Sequence, residues 1–251
     1  MPYEAGQYNA PTVGRTALYA ASQYRVCADP NCGSWILYSA TILNNLTANT
    51  AHVTLDYYRR SDGGLSLSIQ NAIPPYGARG YNTRNGGSVP ADWFNPLGAA
   101  WDGTVRITSD QAVAGVVNTI WVNLNAAGSY SLAGSEDGRA AVIFPLQAKQ
   151  APGGVWQRWA ALNVMNVSSQ SVSVNVHYYD ALGNHVFSLA EAKTLGPYQA
   201  FGLNTRTSSE LNGLPADFVG SAVAQTVAPA LIGVANVLYP DRAAVYDGVG
   251  R

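Results

Sequence analysis

Two cysteines are the residues whose spacing most directly predicts a covalent bond. Cys27 and Cys32 flank Ala-Asp-Pro-Asn, a sequence typical of a tight turn that would bring two thiols together. A second copy of this region, described below, carries Ala148 and Gly153 instead, and this joint absence indicates that the cysteines serve each other. We therefore expect a disulfide and an oxidising compartment, the alternative being two free thiols in a loop.

Other side chains offer little for catalysis or metal binding. Of the three histidines, His52 and His177 fall on outward positions of equivalent predicted strands, and with His185 they lack a paired carboxylate. Asp92 and Asp217 each follow Pro-Ala, which favours capping of a short turn over general acid–base chemistry. The motifs of serine hydrolases, zinc proteases, phosphate loops and calcium loops are missing from the sequence. We predict no catalytic residue, no metal ligand and no cofactor.

Two polar motifs occur twice and leave two interpretations open. Asn45-Leu-Thr and Asn166-Val-Ser fit the acceptor pattern for N-glycosylation, but the same pattern describes a turn between strands. The triplet Asn-Thr-Arg stands at 82–84 and 204–206. It predicts hydrogen bonding at strand ends, or else two equivalent ligand-binding patches.

Aromatic residues provide material for carbohydrate stacking. Trp35 and Trp156 occupy matching sites near predicted strand starts, so we expect both in the core. The burial of Trp93, Trp101 and Trp121 stays open at this point.

An internal duplication organises the chain. Residues 45–58 align without a gap with 166–179, and residues 80–84 align with 202–206. Within each copy, apolar and polar residues alternate, as in a strand with one buried and one solvated face. Turn sequences separate about seven such strands per copy. We predict an all-β protein of two tandem immunoglobulin-like antiparallel β-sandwich domains, at 1–130, with an N-terminal extension, and at 131–251.

Several of the repeated motifs resemble those of a known class of protein repeat. The Asn-x-Ser/Thr pattern, an alternating strand ending in Tyr-Tyr, the Pro-Ala-Asp segments and the stretch 104–118 are together similar to tandem immunoglobulin-like repeats of bacterial secreted and cell-surface proteins. The resemblance implies a location and an architecture rather than an activity.

The C-terminal segment 241–247 is similar to the opening strands at 14–20 and 138–144. It is either an ordinary closing strand of the second domain or the remnant of a third repeat, which would pair with a neighbouring subunit. A strand given to a neighbour forms main-chain hydrogen bonds along its length, and such a head-to-tail contact propagates a filament. The candidate subunit-interface residues are Asp241, Arg242, Ala243, Ala244, Val245, Tyr246 and Asp247.

Composition limits the classes of partner that the protein is expected to bind. The net charge is −1 with no basic cluster, which excludes nucleic acid as an expected partner, and no apolar run is long enough to insert into a membrane. We expect a non-enzymatic structural protein outside the cell or on its surface, whose export signal has been removed and whose partner is itself. The alternative is a carbohydrate-binding or adhesion module of a larger secreted protein.

Overall fold

Two compact units make up the chain. The structure, a computed structural model, describes residues 13–250, and the units divide between Ser135 and Glu136. The predicted boundary after residue 130 falls inside the strand Ala126–Ser131, which pairs within the first unit. The division therefore lies five residues later than predicted, because this last strand belongs to the first sandwich. The predicted N-terminal extension lies outside the described residues.

The first domain is built from strands with short 3-10 helices at Ala91–Leu97 and Val122–Leu124. Its strands are β1 (Arg15–Cys27), β2 (Trp35–Asn45), β3 (Ala51–Arg59), β4 (Leu65–Ile73), β5 (Ala78–Asn82), β6 (Gly86–Gly87), β7 (Ala100–Trp121), β8 (Ala126–Ser131) and β9 (Ala133–Gly134).

The second domain follows the 3-10 helix Ser135–Asp137 and contains two more, Pro152–Gly154 and Ser209–Leu211. Its strands are β10 (Ala141–Gln150), β11 (Arg158–Asn166), β12 (Val172–Asp180), β13 (His185–Ser188), β14 (Lys193–Leu195), β15 (Ala200–Asn204), β16 (Asp217–Gln225), β17 (Leu231–Leu238), β18 (Ala243–Asp247) and β19 (Val249–Gly250).

One long strand gives the first domain its sandwich shape. The first half of the 22-residue β7 pairs with β1 and β3, and its second half pairs with β2 and β8, so the strand passes from one layer to the other. In the second domain this path is divided between β16, which pairs with β10 and β12, and β17, which pairs with β11 and β18. All these pairings are antiparallel. The prediction of two tandem antiparallel β-sandwiches that arose by duplication is confirmed.

The alternation read from the sequence decides which faces are buried. Tyr57 of β3 and Tyr178 of β12 are both fully buried. The ring of Tyr57 packs edge-on against Trp101, with the ring centroids 5.7 Å apart, and that of Tyr178 packs edge-on against Phe218 at 5.8 Å. The two contacts lie at equivalent positions of the two copies. Edge-to-face contact suits the ring quadrupoles, so this aromatic pair stabilises the core of each domain. Burial raises the pKa of both tyrosine hydroxyls.

A glycine in each copy allows close approach of neighbouring strands. A Cβ atom on Gly103 would lie 2.0 Å from the carbonyl oxygen of Tyr58, and one on Gly220 would lie 2.0 Å from that of Tyr179. Real Cβ atoms do not come so close to a backbone oxygen. Glycine is therefore required at this crossing in both domains.

Candidate functional site

The segment 241–247 lies within its own domain. β18 pairs with β17 from Ala243 opposite Leu238 to Asp247 opposite Val234. The hydroxyl of Tyr246 donates to the carbonyl of Leu146 on β10, at 2.5 Å. In the first domain β8 pairs with β7, and its Tyr130 hydroxyl donates to the carbonyl of Ser22 on β1.

β18 is therefore the counterpart of β8 and closes the second sandwich, as one of the two interpretations of this segment requires. Its likeness to the opening strands is local and does not extend to its place in the sheet. The preceding residues Asp241 and Arg242 are exposed, and the Arg242 guanidinium lies 4.6 Å from the ring centroid of Tyr239.

The outer edge of β4 is a second feature of the sheet. Among the described residues β4 pairs with β3 alone. The N–H of His52 on β3 donates to Asp110 Oδ1 at 2.8 Å and so points away from Ala72, its partner on β4. In an antiparallel ladder such a pair is not hydrogen-bonded, and both residues direct their backbone groups outward. Accordingly the Ala72 N–H is taken by the side chain of Asn71 at 2.8 Å.

The same alternation of hydrogen-bonded and non-hydrogen-bonded pairs directs backbone groups outward in the middle of β4. Gln70 and Ser68 pair with β3 at the next two alternate positions, so their N–H and C=O groups also face outward. Both residues are exposed, and no described strand lies on the side that their backbone groups face, because β4 pairs with β3 alone. We call this line of backbone groups, from Ser68 to Ala72, the β4 edge.

The two copies treat this edge differently. β4 runs for nine residues without a charged residue or a proline. Its counterpart is broken into β13 and β14, with Glu191 between them and an ion pair from Lys193 Nζ to Glu210 Oε1 at 2.6 Å. Natural sheets protect edges with charges, breaks and prolines. Within the described part of the first domain, from residue 13 onward, β4 has none of these features, which makes the β4 edge a candidate site for another strand.

The glycosylation interpretation is wrong for both acceptor asparagines. Asn45 is 2% exposed; its Nδ2 donates to the carbonyls of Asn49, Ile73 and Pro74, and its Oδ1 accepts the N–H of Thr47. A glycan would need the same nitrogen to stand in solvent.

Asn166 is fully buried and repeats these contacts with Gln170, Leu195, Gly196 and Ser168. Both residues join two loop segments, which is the alternative that the sequence left open.

The Asn-Thr-Arg triplets also bind the fold together. Thr83 is buried, and its hydroxyl donates to the carbonyl of Tyr24 at 2.6 Å. Thr205 is buried likewise and donates to the carbonyl of Ala148 at 2.5 Å. Each hydroxyl also accepts a backbone N–H from the second strand of its domain. The threonines therefore connect strand ends.

The arginines of the triplets cover tryptophans. Arg84 lies 5.9 Å from the ring centroid of Trp35, and Arg206 lies 5.7 Å from that of Trp156, both within cation–π range. The prediction that these tryptophans belong to the core is wrong, since both are only half-buried. The rings are shielded by guanidinium groups and do not form bare stacking platforms.

The structure also shows the burial of the three tryptophans that the sequence left open. Trp101 and Trp121 are buried, at 3% and 7% exposure, whereas Trp93 is exposed.

The predicted disulfide is confirmed. Cys27 and Cys32 are bonded, with their Cα atoms 5.0 Å apart. Asp29 lies inside this loop and accepts the backbone N–H groups of Gly33 and Ser34, which lower the pKa of its carboxyl. The carboxylate thus holds the same turn that the disulfide closes.

The histidines differ from expectation. His52 does have a carboxylate partner, because its Nδ1 lies 2.8 Å from Asp110 Oδ2. His177 and His185 approach one another around Ser188 on the outer face of β12 and β13. The sequence held a signal for this meeting, since Ala181-Leu-Gly-Asn184 is a typical turn sequence and folds one strand back upon the other. Capping by Asp92 is wrong, because its 3-10 helix has Pro90 at the cap and no side-chain cap bond.

Larger ligand sets are not seen in residues 13–250. No group of three or more His, Cys, Asp or Glu side chains there could hold a metal ion. No helix in this part of the chain is long and apolar enough to cross a membrane.

Comparison with known proteins finds similarity only to solved structures, and that similarity is distant. No family model matches the chain, and no curated protein matches it. The Thermotoga maritima 1070 protein is similar over 46% of this chain and 97% of its own, at 13% identity and a TM-score of 0.35. The Anabaena sensory rhodopsin transducer is similar over 44% of this chain and 95% of its own, at 12% identity and a TM-score of 0.30. Likenesses this distant carry no argument about function.

Proposed function

We propose that this chain is a non-enzymatic structural protein, outside the cell or on its surface, that assembles with copies of itself by strand addition. The unprotected β4 edge carries the proposal, because a strand added to such an edge gains main-chain hydrogen bonds along its length. A charged fraction of only 12% also favours close packing, since few charges must lose water. The disulfide and the resemblance to repeats of bacterial secreted proteins support the location.

The strand that fits the β4 edge is β4 of a second copy. Antiparallel pairing centred on Ile69 sets Ser68 of each copy opposite Gln70 of the other, because these residues flank Ile69. Both have backbone groups that face the edge, so opposite residues exchange N–H···O bonds in both directions. No like charges meet in this register, so self-pairing carries no electrostatic penalty.

A two-fold contact of this kind closes on itself, so a polymer needs a second surface. β18 is the last strand of its sheet path, and its outer edge has no strand partner within residues 13–250. In this proposal β18 serves as an interface strand through the edge that faces away from β17, and not as a strand given to a neighbouring subunit. Contacts at β4 and at β18 would alternate along a filament of two-domain subunits.

Sedimentation velocity of the full chain at rising concentration, with negative-stain electron microscopy of the same samples, tests this proposal. Gln70→Lys sets a charge on the β4 edge, and Asn175→Lys adds the same charge at an exposed position of β12, inside a sheet. We expect wild type and Asn175→Lys to associate and Gln70→Lys to lose the β4 contact. Ala244→Lys on β18 should stop assembly at dimers. A wild type that is monomeric throughout, or a Gln70→Lys variant that associates like wild type, overturns the proposal.

A carbohydrate-binding or adhesion module is the second candidate, and one exposed tyrosine favours it. Tyr76 is 73% exposed with a φ of 53°, a conformation that an L-residue adopts at a cost, and its counterpart Tyr198 has a φ of 61°. A strained turn that holds an aromatic ring in solvent suits stacking on a sugar. Affinity electrophoresis through polysaccharide gels tests it: Tyr76→Ala should abolish retardation, and wild-type mobility unchanged by every polysaccharide excludes it.

A further inference from the structure

Two imidazoles meet on the outer face of the second domain. His177 lies on β12, and His185 opens β13 after a turn in which the Gly183 N–H donates to the carbonyl of Asp180 at 3.1 Å. The cross-strand register sets His177 opposite Ser188. The hairpin brings the two ring centroids to 5.9 Å, with His185 exposed and His177 half-buried.

One hydroxyl separates the two rings. Ser188 Oγ lies 2.7 Å from Nδ1 of His177 and 2.7 Å from Nε2 of His185. Nε2 of Gln225 can only donate, and it lies 3.1 Å from Nε2 of His177, so that ring nitrogen accepts. The His177 proton is then on Nδ1 and is donated to Ser188 Oγ. The serine hydroxyl is then free to donate to Nε2 of His185, in the tautomer of that ring whose proton is on Nδ1.

We propose that His177 and His185 form a binding site for a transition-metal ion of the Cu²⁺, Ni²⁺ and Zn²⁺ class. Imidazole nitrogen is a preferred ligand for these ions. Because both nitrogens lie 2.7 Å from one oxygen, they are at most twice that distance, 5.4 Å, apart. Metal–nitrogen bonds of about 2.0 Å require a separation of roughly 4 Å or less. Metal binding requires that the two histidine side chains rotate toward each other to close this difference.

Protons can be accommodated without further groups. His185 offers an unprotonated Nε2 in the tautomer whose proton is on Nδ1. His177 binds through Nδ1 after its proton moves to Nε2, where the Gln225 amide turns its oxygen to accept it. The ion takes the place of the serine hydrogen bonds between the rings, and Ser188 is left beside it.

The site is open rather than closed. No third His, Cys, Asp or Glu side chain joins this pair in residues 13–250, so water fills the remaining coordination positions. Open sites with few protein ligands bind a metal more weakly than closed structural sites, and the fold does not depend on the ion. The site lies on β12 and β13 and is independent of the proposed self-assembly through β4.

Calorimetric titration of the full chain with Cu²⁺, the tightest binder of this class, tests the site. We expect one Cu²⁺ ion per chain at this cluster. His177→Asn and His185→Asn should each weaken binding by at least about tenfold, since the loss of even an outer-shell partner costs about 10–100-fold. His52→Asn is the matched control, because it removes the other outward strand histidine, and it should leave the affinity unchanged.

Electron paramagnetic resonance of the Cu²⁺ complexes gives a second readout. Wild type should show coupling to two imidazole nitrogens at this site, and each single variant should show one. Circular dichroism establishes that the variants are folded. Equal Cu²⁺ affinity of wild type and His185→Asn, or an equal loss in His52→Asn, would mean adventitious binding only and would overturn the proposal.

Discussion

The hydroxyl of Tyr246 donates to the backbone carbonyl of Leu146 and accepts the N–H of the same residue, so one side chain satisfies both backbone groups. Tyr130 forms the same two bonds with Ser22 in the first domain. Each tyrosine fixes the closing strand of its sandwich to the first strand. The pair of bonds shows that residues 243–247 belong to the fold of the second domain.

Tyr246→Phe should therefore destabilise the second domain. The substitution leaves the backbone N–H of Leu146 without its hydroxyl partner and leaves its carbonyl with Gln147 Nε2 alone, at a cost of about 1–2 kcal/mol. Urea unfolding followed by hydrogen exchange should show lower stability in residues 136–250 and no change in the first domain. Tyr130→Phe is the matched variant and should destabilise the first domain while leaving the second unchanged. An unaltered urea midpoint in both variants would contradict the role of these tyrosines in fixing the closing strands.

Removal of residues 241–251 should unfold the second domain. All eight residues of β17 are buried, and deletion of β18 uncovers one edge of that strand. Loss of buried apolar area and main-chain bonds together exceeds the margin by which domains are stable. Far-UV circular dichroism should fall by about the contribution of one domain. A truncated protein with two folded domains would show that β18 is dispensable.

Asn45→Asp should cost about 3 kcal/mol or more. The buried carboxylate oxygen would face three carbonyl oxygens that the amide nitrogen now satisfies. Thermal unfolding measures the loss, and Asn49→Asp, an exposed change in the same loop, is the control with a small effect. Mass spectrometry of folded protein from a eukaryotic secretory host should find Asn45 and Asn166 without glycan; a glycan on either would contradict the buried geometry.

Acid should weaken the bond between β3 and β7 that Asp110 makes. The hydrogen bond from His52 lowers the pKa of Asp110 below its ordinary value of 3.8. The unfolded chain then binds a proton more tightly than the folded chain, so this contribution to stability is present above pH 3.8 and is lost as the pH falls through the folded pKa. The difference in Tm between wild type and Asp110→Asn should shrink on acidification. Asp92→Asn is the control for removal of an exposed charge.

Reduction of the disulfide should have a small effect. Chain-entropy arguments give about 2 kcal/mol for a loop this short. Asp29 holds the same turn through backbone hydrogen bonds, so we expect less than that value. Thermal unfolding with and without reductant measures it. Asp29→Ala should make reduction more costly; a loss in wild type above about 3 kcal/mol would show that the carboxylate does not hold the loop.

Local pattern explains why so much of the fold was predictable. Alternation along residues 53–57 and 172–178 follows from the two-residue period of a strand, which any sequence must obey to bury one face. Because the domain is duplicated, each prediction made for one copy also applies to the equivalent residues of the other. The short cysteine spacing closes a turn within one segment, so the disulfide needed no knowledge of distant residues.

Fold class and disulfide followed from patterns among neighbouring residues, and the duplication followed from comparing the chain with itself. The packing of the whole domain was needed to show that Tyr246 bonds to Leu146, that Asn45 is buried against Ile73 and Pro74, and that His52 has a partner in Asp110. Each of these contacts joins residues that are distant in sequence, and a strand register shifted by one residue would turn every such side chain to the other face. Register between distant strands is set by the packing of the whole sandwich.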